Sequence, residues 1–264
     1  MSDYMSRYSL FMRILIRCLK IPDNDRYGRK SIVCISSNIL AEKDIATVVD
    51  IAAGRGADLL NIKNNNNSCT IDMYACEAYK PNVSYLEQQG INTFQVDIEW
   101  ERLPFDDNSV DIIIANQILE HCKEIWWIFS EAQRVLKPGG YMIVGVPNLA
   151  SLHCRLMLLF GKQPPCIETH GPHVRGFVYS DLKMFAEYEG YFEVEKRISS
   201  GFYFVGRHLA PLFSRVFPNA AVCMMLQIRK TEKEGLFINT LLNAGYETNF
   251  YSGEMETNYI IGKR

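Results

Sequence analysis

Three acids and a glycine turn carry the first chemical signal in this chain. The stretch 48-VVDIAAGRGADLL-60 begins as an apolar run, passes through Gly54 and Gly56, and continues with helical spacing. Asp50 stands near the end of that run, and Asp72 and Asp97 stand at the expected ends of the next two strand-like segments. Glycines at a strand–helix turn let the backbone approach a ligand, and the first turn of a helix offers N–H groups without helical partners. An acid after the second strand can accept two hydrogen bonds from a ribose diol, and one after the third can receive an exocyclic amine. Three carboxylates together favour a ligand with hydroxyls, an amine and positive charge, and repel a pyrophosphate. The dinucleotide fingerprint G-x-G-x-x-G also fails, because Leu59 takes the third glycine position. Each acid alone has a plainer role, capping the turn that follows it. Their common phasing is what points to a ligand.

Strands must place these residues. Apolar strands are expected at 47–51, 69–73, 92–97, 110–115 and 141–146, alternating with helices at 56–63, 75–89 and 122–136. Gly90 caps the second of these helices, and 137-KPGG-140 stops the third. This rhythm predicts an α/β fold with a parallel sheet covered on both faces. Beyond 148 the pattern loosens: helices at 149–160 and 180–190, an irregular stretch at 161–179, and strands at 191–197 and 221–229. Residues 1–44 read as a helical cap, 45–230 as the main domain with an insertion at 149–179, and 231–264 as an added helix and hairpin. Helices are expected at 8–21 and 29–42. The first is basic and amphipathic, suited either to an anionic membrane surface or to capping a pocket.

Composition narrows the class. The 264 residues are 48% hydrophobic and 22% charged with net charge -2, an ordinary globular balance with no global pull on nucleic acid. The longest apolar run, 156-LMLLF-160, falls far short of the roughly 20 residues a membrane span needs. Arg7, Arg13, Arg17 and Lys20 are spread through the N-terminal apolar segment, unlike a signal peptide. Eight cysteines without a CxxC pair suit a reduced, cytoplasmic protein.

The blocks VVDIAAGRG (48–56), IDMY (71–74), VDIEWERLPFDDNSVDIIIANQILEH (96–121), RVLKPGG (134–140) and VPN (146–148) resemble, in order and spacing, the class I S-adenosylmethionine-dependent methyltransferases. The type 11-like branch with its LPF…LEH…RVLKPGG pattern is the most similar. The resemblance implies a Rossmann-like, doubly wound, mostly parallel seven-stranded sheet with S-adenosylmethionine as cofactor and S-adenosylhomocysteine as product. It further implies that Asp50, Ala52, Gly54, Arg55 and Gly56 form the turn around the methionine part. Asp72 would take the ribose hydroxyls and Met73 would lie beside the adenine. Asp97 and Ile98 would bind the adenine amine and edge, with Asn116 and Gln117 near the methionine carboxylate and amine. The family's D-x-G-x-G-x-G carries Ala52 at its first glycine, which alanine tolerates if its φ is negative.

A sulfonium methyl is already activated, so such an enzyme mainly aligns a nucleophile and excludes water. A general base is needed when the acceptor is a hydroxyl or a protonated amine. Candidate bases are His121, His170 and His173, with His121 equally suited to supporting a helix start and Arg175 placed to hold an acidic group. Cys166, His170 and His173, completed by Cys154 or His153, have ligand-like spacing, but C-x3-H-x2-H matches no standard structural zinc pattern, so no metal is assigned. Residues 149–194 resemble the acceptor region of methyltransferases of glycan and lipopolysaccharide biosynthesis, which implies O-methylation of a sugar or glycolipid. Aromatic, quinone-like or natural-product acceptors remain the alternative. A non-catalytic binding protein and, more remotely, an NAD(P)-dependent oxidoreductase are the competing functions.

Overall fold

The computed structural model describes residues 28–253 apart from 67, 207, 245, 247 and 249. The helix expected at 8–21 and the final strand of the expected hairpin lie outside the described residues. In chain order the elements are α1 (Arg29–Leu40), β1 (Ile45–Ile51), α2 (Ala57–Asn65), β2 (Thr70–Glu77), α3 (Lys80–Gln88), β3 (Asn92–Gln95) and β4 (Val110–Asn116). There follow α4 (Ile125–Val135), β5 (Leu136–Pro147), α5 (Leu152–Leu159), α6 (Tyr179–Ala186), β6 (Phe192–Ser200), α7 (Ala210–Val216), β7 (Cys223–Lys230) and α8 (Asn239–Ala244). The strands form one seven-stranded sheet in the order β3-β2-β1-β4-β5-β7-β6, parallel except where β7 runs against β5 and β6. The doubly wound α/β expectation is met.

Residues of alternate parity along the strands build the two faces. Val48, Ile112, Ile114, Ile143 and Met225 pack with α1 and α2 on one side. Val49, Ile51, Ile113, Ala115, Val144 and Leu226 pack with α4 on the other. Helix α1 joins by its Ile32, Ile35, Ile39 and Leu40 stripe, one apolar face of a 3.6-residue period. The central β4 is buried along both faces, which is why 112-IIIA-115 reads as a continuous apolar run rather than an alternating one.

Three boundaries differ from expectation. Strand β2 runs on to Glu77, and α3 starts only at Lys80, not at 75. Pairing holds the strand extended, through Ile51 with Cys76 on one side and Glu77 with Gln95 on the other. Pro81 in the first helical turn marks the true start, because an N–H is not needed there. The helix expected at 122–136 is α4 and starts only at Ile125, after a 3-10 turn at Leu119–His121, so His121 ends a turn rather than opening a helix. Finally, 137-KPGG-140 lies within β5 at an irregular step of its pairing with β4. There Lys137 and Lys43 donate to the buried Asp111 carboxylate at 2.7 and 2.8 Å, and Thr47 N–H donates at 3.0 Å. Burial alone would raise the pKa of Asp111, but these three donors hold it below the ordinary range.

Candidate functional site

The sheet order reverses between β1 and β4, so a crevice opens beyond their carboxyl ends, where doubly wound sheets take ligands. The turn after β1 lies there and is wound by three left-handed residues: Ala52 (φ 55), Gly54 (φ 57) and Gly56 (φ 68). The condition under which alanine is tolerated there, a negative φ, is not met: the turn holds its first-glycine position left-handed although alanine occupies it. That conformation costs a non-glycine residue on the order of 1 kcal/mol. Ala52→Gly should raise stability by up to about 1 kcal/mol, a rise in melting temperature of about 2–4 °C, readable by scanning calorimetry. An unchanged or lower melting temperature would show that the left-handed alanine carries no net cost.

The two glycines serve different ends. A side chain on Gly56 would meet Leu86 Cδ2 at 2.6 Å, so this glycine is required by packing as well as by its φ. A side chain on Gly54 would meet no described atom within 4 Å. Only Gly54 presents bare backbone to open space. Arg55 points outward over the Tyr85 ring at 5.0 Å.

Carboxylates surround this turn. Glu77, 8% exposed, accepts Gly54 N–H at 2.7 Å on one oxygen and Tyr79 N–H at 2.9 Å on the other. Asp58, in the first turn of α2, accepts the Asn116 amide at 2.9 Å and faces Arg29 at 3.4 Å. Burial raises its pKa, against the pull of Asn116 and Arg29. Asp50 is 3% exposed, and burial followed by the charges of Asp58 and Glu77 pushes its carboxyl well above the usual range. Three acids converging on one turn with one nearby arginine disfavour one another's ionised form, and a cationic ligand would favour it.

Asp72 stands apart from this group. It is exposed, pairs in register with Thr47 near the start of β1, and lies five residues, roughly 16 Å, back along the strand from Glu77. Met73 lies at the same mid-strand level, half-buried against the α1–α2 face. The acid at the carboxyl end of β2 is Glu77. Asp97 follows β3 at that edge, where its carboxylate accepts Glu99 N–H at 3.1 Å. Ile98 beside it is buried. Asn116 ends β4 with its Oδ1 buried and without a hydrogen-bond partner, and Gln117 follows left-handed (φ 56) with its Nε2 in the same condition. Two orphaned amide atoms at the switch point supply one acceptor and one donor for a ligand.

The histidines divide. His121 and His173 meet edge to face with ring centroids 4.6 Å apart. Beside them lies Glu120, which sequence reasoning passed over and whose carboxyl burial pushes up to about 7. Burial, then the neighbouring His121, lowers the pKa of His173. His170 lies away on the surface, its nearest acid Glu168 at 3.8 Å. Cys154 Sγ lies 3.6 Å from Cys166 Sγ and 3.4 Å from His153 Nε2, but among the described residues the grouping of Cys166 with His170 and His173 considered from spacing is not assembled. Arg175 donates to the Cys122 and Lys123 carbonyls at 3.2 and 2.7 Å, tying its loop to the turn after β4.

The LPF and RVLKPGG blocks meet at Arg134. Its guanidinium donates to the Leu103 and Phe105 carbonyls, to Asp107 and to both oxygens of Glu131, all between 2.7 and 2.9 Å. Glu131 in turn accepts Leu103 N–H at 2.8 Å. The signature is a clamp, with Phe105 held edge-on against Tyr74 and Phe94 at the foot of β2 and β3.

Comparisons with known proteins agree with this geometry. Residues 49–144 match the methyltransferase domain family Methyltransf_11. A Mycolicibacterium smegmatis protein named for S-adenosylmethionine-dependent methyltransferase activity is 34% identical over 113 residues, 43% of this chain and 39% of the relative. The chain thus matches about two-fifths of that relative's length. Among solved structures, a SAM-dependent methyltransferase from Archaeoglobus fulgidus superposes with TM-score 0.51 and 15% identity over 78% of this chain and 97% of that one. The cyclase SpnF superposes with TM-score 0.54 and 16% identity over 78% and 82%. These last two likenesses establish the fold alone. Residues 49–144, the segment that matches a methyltransferase domain, lie in the doubly wound sheet described above.

Proposed function

We propose that the chain is an S-adenosylmethionine-dependent methyltransferase that methylates a hydroxyl of a sugar or glycolipid. The observation that carries the cofactor reading is the ring of Asp50, Asp58 and Glu77 around the open backbone of Gly54. In this reading Glu77 takes the ribose hydroxyls, the role expected of Asp72. Asp97 and Ile98 take the adenine, and Asn116 and Gln117 take the methionine carboxylate and amine. The sulfonium supplies an activated methyl group; the chain's own part is to hold the acceptor in line and exclude water.

The acceptor reading is supported by two features. Glu120, His121 and His173 gather beyond β4, suited to hydroxyl chemistry. Leu158, Leu159 and Phe160 at the end of α5, with Leu212, Val216 and Phe217 on and after α7, are exposed apolar side chains. Arg155 joins the two segments by donating to the Asn219 carbonyl. Polar side chains beyond β4 together with exposed apolar side chains on α5 and α7 suit an amphiphilic acceptor.

Calorimetric titration tests the cofactor reading. One-to-one binding of S-adenosylhomocysteine without binding of NAD(P) is expected; no binding of S-adenosylhomocysteine would favour a non-catalytic role. Incubation with methyl-labelled cofactor and candidate glycolipids tests the acceptor, with label expected in the organic phase. Label found only in aromatic products would overturn that part.

A pH dependence follows from Asp50. Its raised pKa means the ligand-free carboxyl retains a proton to higher pH than usual, and a nearby sulfonium favours the charged form. Binding of S-adenosylmethionine should therefore release protons in mildly acid buffer, and affinity should rise with pH. The uncharged thioether product should release fewer. Titration in buffers of different ionisation enthalpy reads this, and proton uptake on binding would reverse the assignment.

A further inference from the structure

We propose that Glu120, His121 and His173 form a site for a divalent transition-metal ion. One ligand-capable atom from each residue lies within 4.8 Å of those of the other two. Atoms bound at about 2.1 Å to a common ion stand roughly 3–4 Å apart, so closing on an ion requires a contraction of only about 1–2 Å. Two imidazoles with one carboxylate suit zinc, cobalt, manganese or ferrous iron rather than magnesium or calcium.

His173 lies 52 positions beyond His121, and its chain neighbours on both sides are hydrogen-bonded to the Glu120–His121 turn. Val174 and Arg175 N–H groups donate to the Glu120 carbonyl at 2.8 and 3.2 Å. On the other side, the Pro172 carbonyl stands 3.2 Å from His121 Nδ1. A carbonyl only accepts, so His121 Nδ1 carries the proton and its Nε2 carries the lone pair. A histidine ligand held to its tautomer by a backbone carbonyl is the usual outer-shell support of a metal centre.

Unsatisfied atoms give the independent sign of a ligand. Glu120 is 2% exposed, and its Oε2 has no hydrogen-bond partner; the buried Nδ1 of His173 has none either. No lysine or arginine among the described residues forms an ion pair with Glu120, although a buried carboxylate is costly to leave without a compensating partner. An acceptor and an imidazole nitrogen, both buried and unpartnered on residues whose ligand-capable atoms lie this close together, are what an ion would satisfy.

Three protein ligands leave coordination positions for water or an acceptor oxygen. An ion there would lower the pKa of a bound hydroxyl, so that no side chain need act alone as base. This consequence rests on the O-methylation reading; binding of the ion does not.

The test uses the full chain, stripped with a chelator and titrated with cobalt(II). One equivalent with visible d–d absorption, displaced by one equivalent of zinc, is expected. Glu120→Gln and His173→Asn should each weaken cobalt binding by about 100-fold or more, while binding S-adenosylhomocysteine as the parent does. Absence of the cobalt bands would overturn the site, as would equal binding by parent and both variants. A folded, cobalt-binding protein that transfers no methyl group to hydroxyl acceptors would overturn O-methylation and leave the metal site standing.

Discussion

Glu77→Ala is expected to weaken S-adenosylhomocysteine binding by about 100-fold or more, whereas Asp72→Ala should leave it within about twofold. Each Glu77 oxygen already accepts one backbone N–H, from Gly54 or Tyr79, and each keeps a further lone pair for a ribose hydroxyl. Two hydrogen bonds to a charged group are worth about 3–5 kcal/mol together, and every 1.4 kcal/mol is about a factor of ten. Removing the carboxylate also frees Gly54 N–H, loosening the turn proposed to hold the cofactor. Glu77→Gln preserves length and keeps one acceptor oxygen, so its loss should be intermediate. Asp72 is exposed and roughly 16 Å back along β2, and it has no route to the same ligand group. Calorimetry on the three variants decides between the positions. Equal loss in Asp72→Ala and Glu77→Ala would mean that the ribose is not held at the end of β2.

The second large effect concerns stability. Arg134→Met should destabilise the fold by about 3–5 kcal/mol, because Glu131 would be left buried and charged without its partner. The Leu103 and Phe105 carbonyls would lose their donors at the same time. The exposed Arg102, 3.7 Å from Glu131, is too solvated to replace the clamp. Arg134→Lys should recover little, since an ammonium cannot reach both carbonyls and both carboxylate oxygens as the planar guanidinium does. Urea unfolding measures the difference. A loss below about 1 kcal/mol would show that the Leu103–Asp107 loop is held by its aromatic contacts instead.

These two residues illustrate different kinds of legibility. Arg134 sits in a block whose spacing is visible in the sequence, yet nothing local says that it is a clamp; that follows from its five bonds to residues up to 31 positions away. Glu77 was hidden because 75-ACEAYK-80 is rich in helix formers, while strand pairing on both sides keeps it extended. Pro81 was the available signal, since proline favours the first helical turn. Glu120 had no comparable signal. A glutamate before a histidine looks like a solvated turn until the 172–175 segment folds over it.

The sequence by itself determined the class of fold and the place of the glycine turn after β1. Period-two apolar strands, amphipathic helices and left-handed glycines are local properties, set by sterics and burial within a few residues. Only the tertiary structure decided which acid stands at the end of β2, that Ala52 is held left-handed, and that Glu120 faces two histidines. Each of these depends on backbone pairing or packing between distant segments, and such long-range contacts override local preference. In 48-VVDIAAGRGADLL-60 the sequence set where the turn lies, and the neighbouring strands set its shape and its charge.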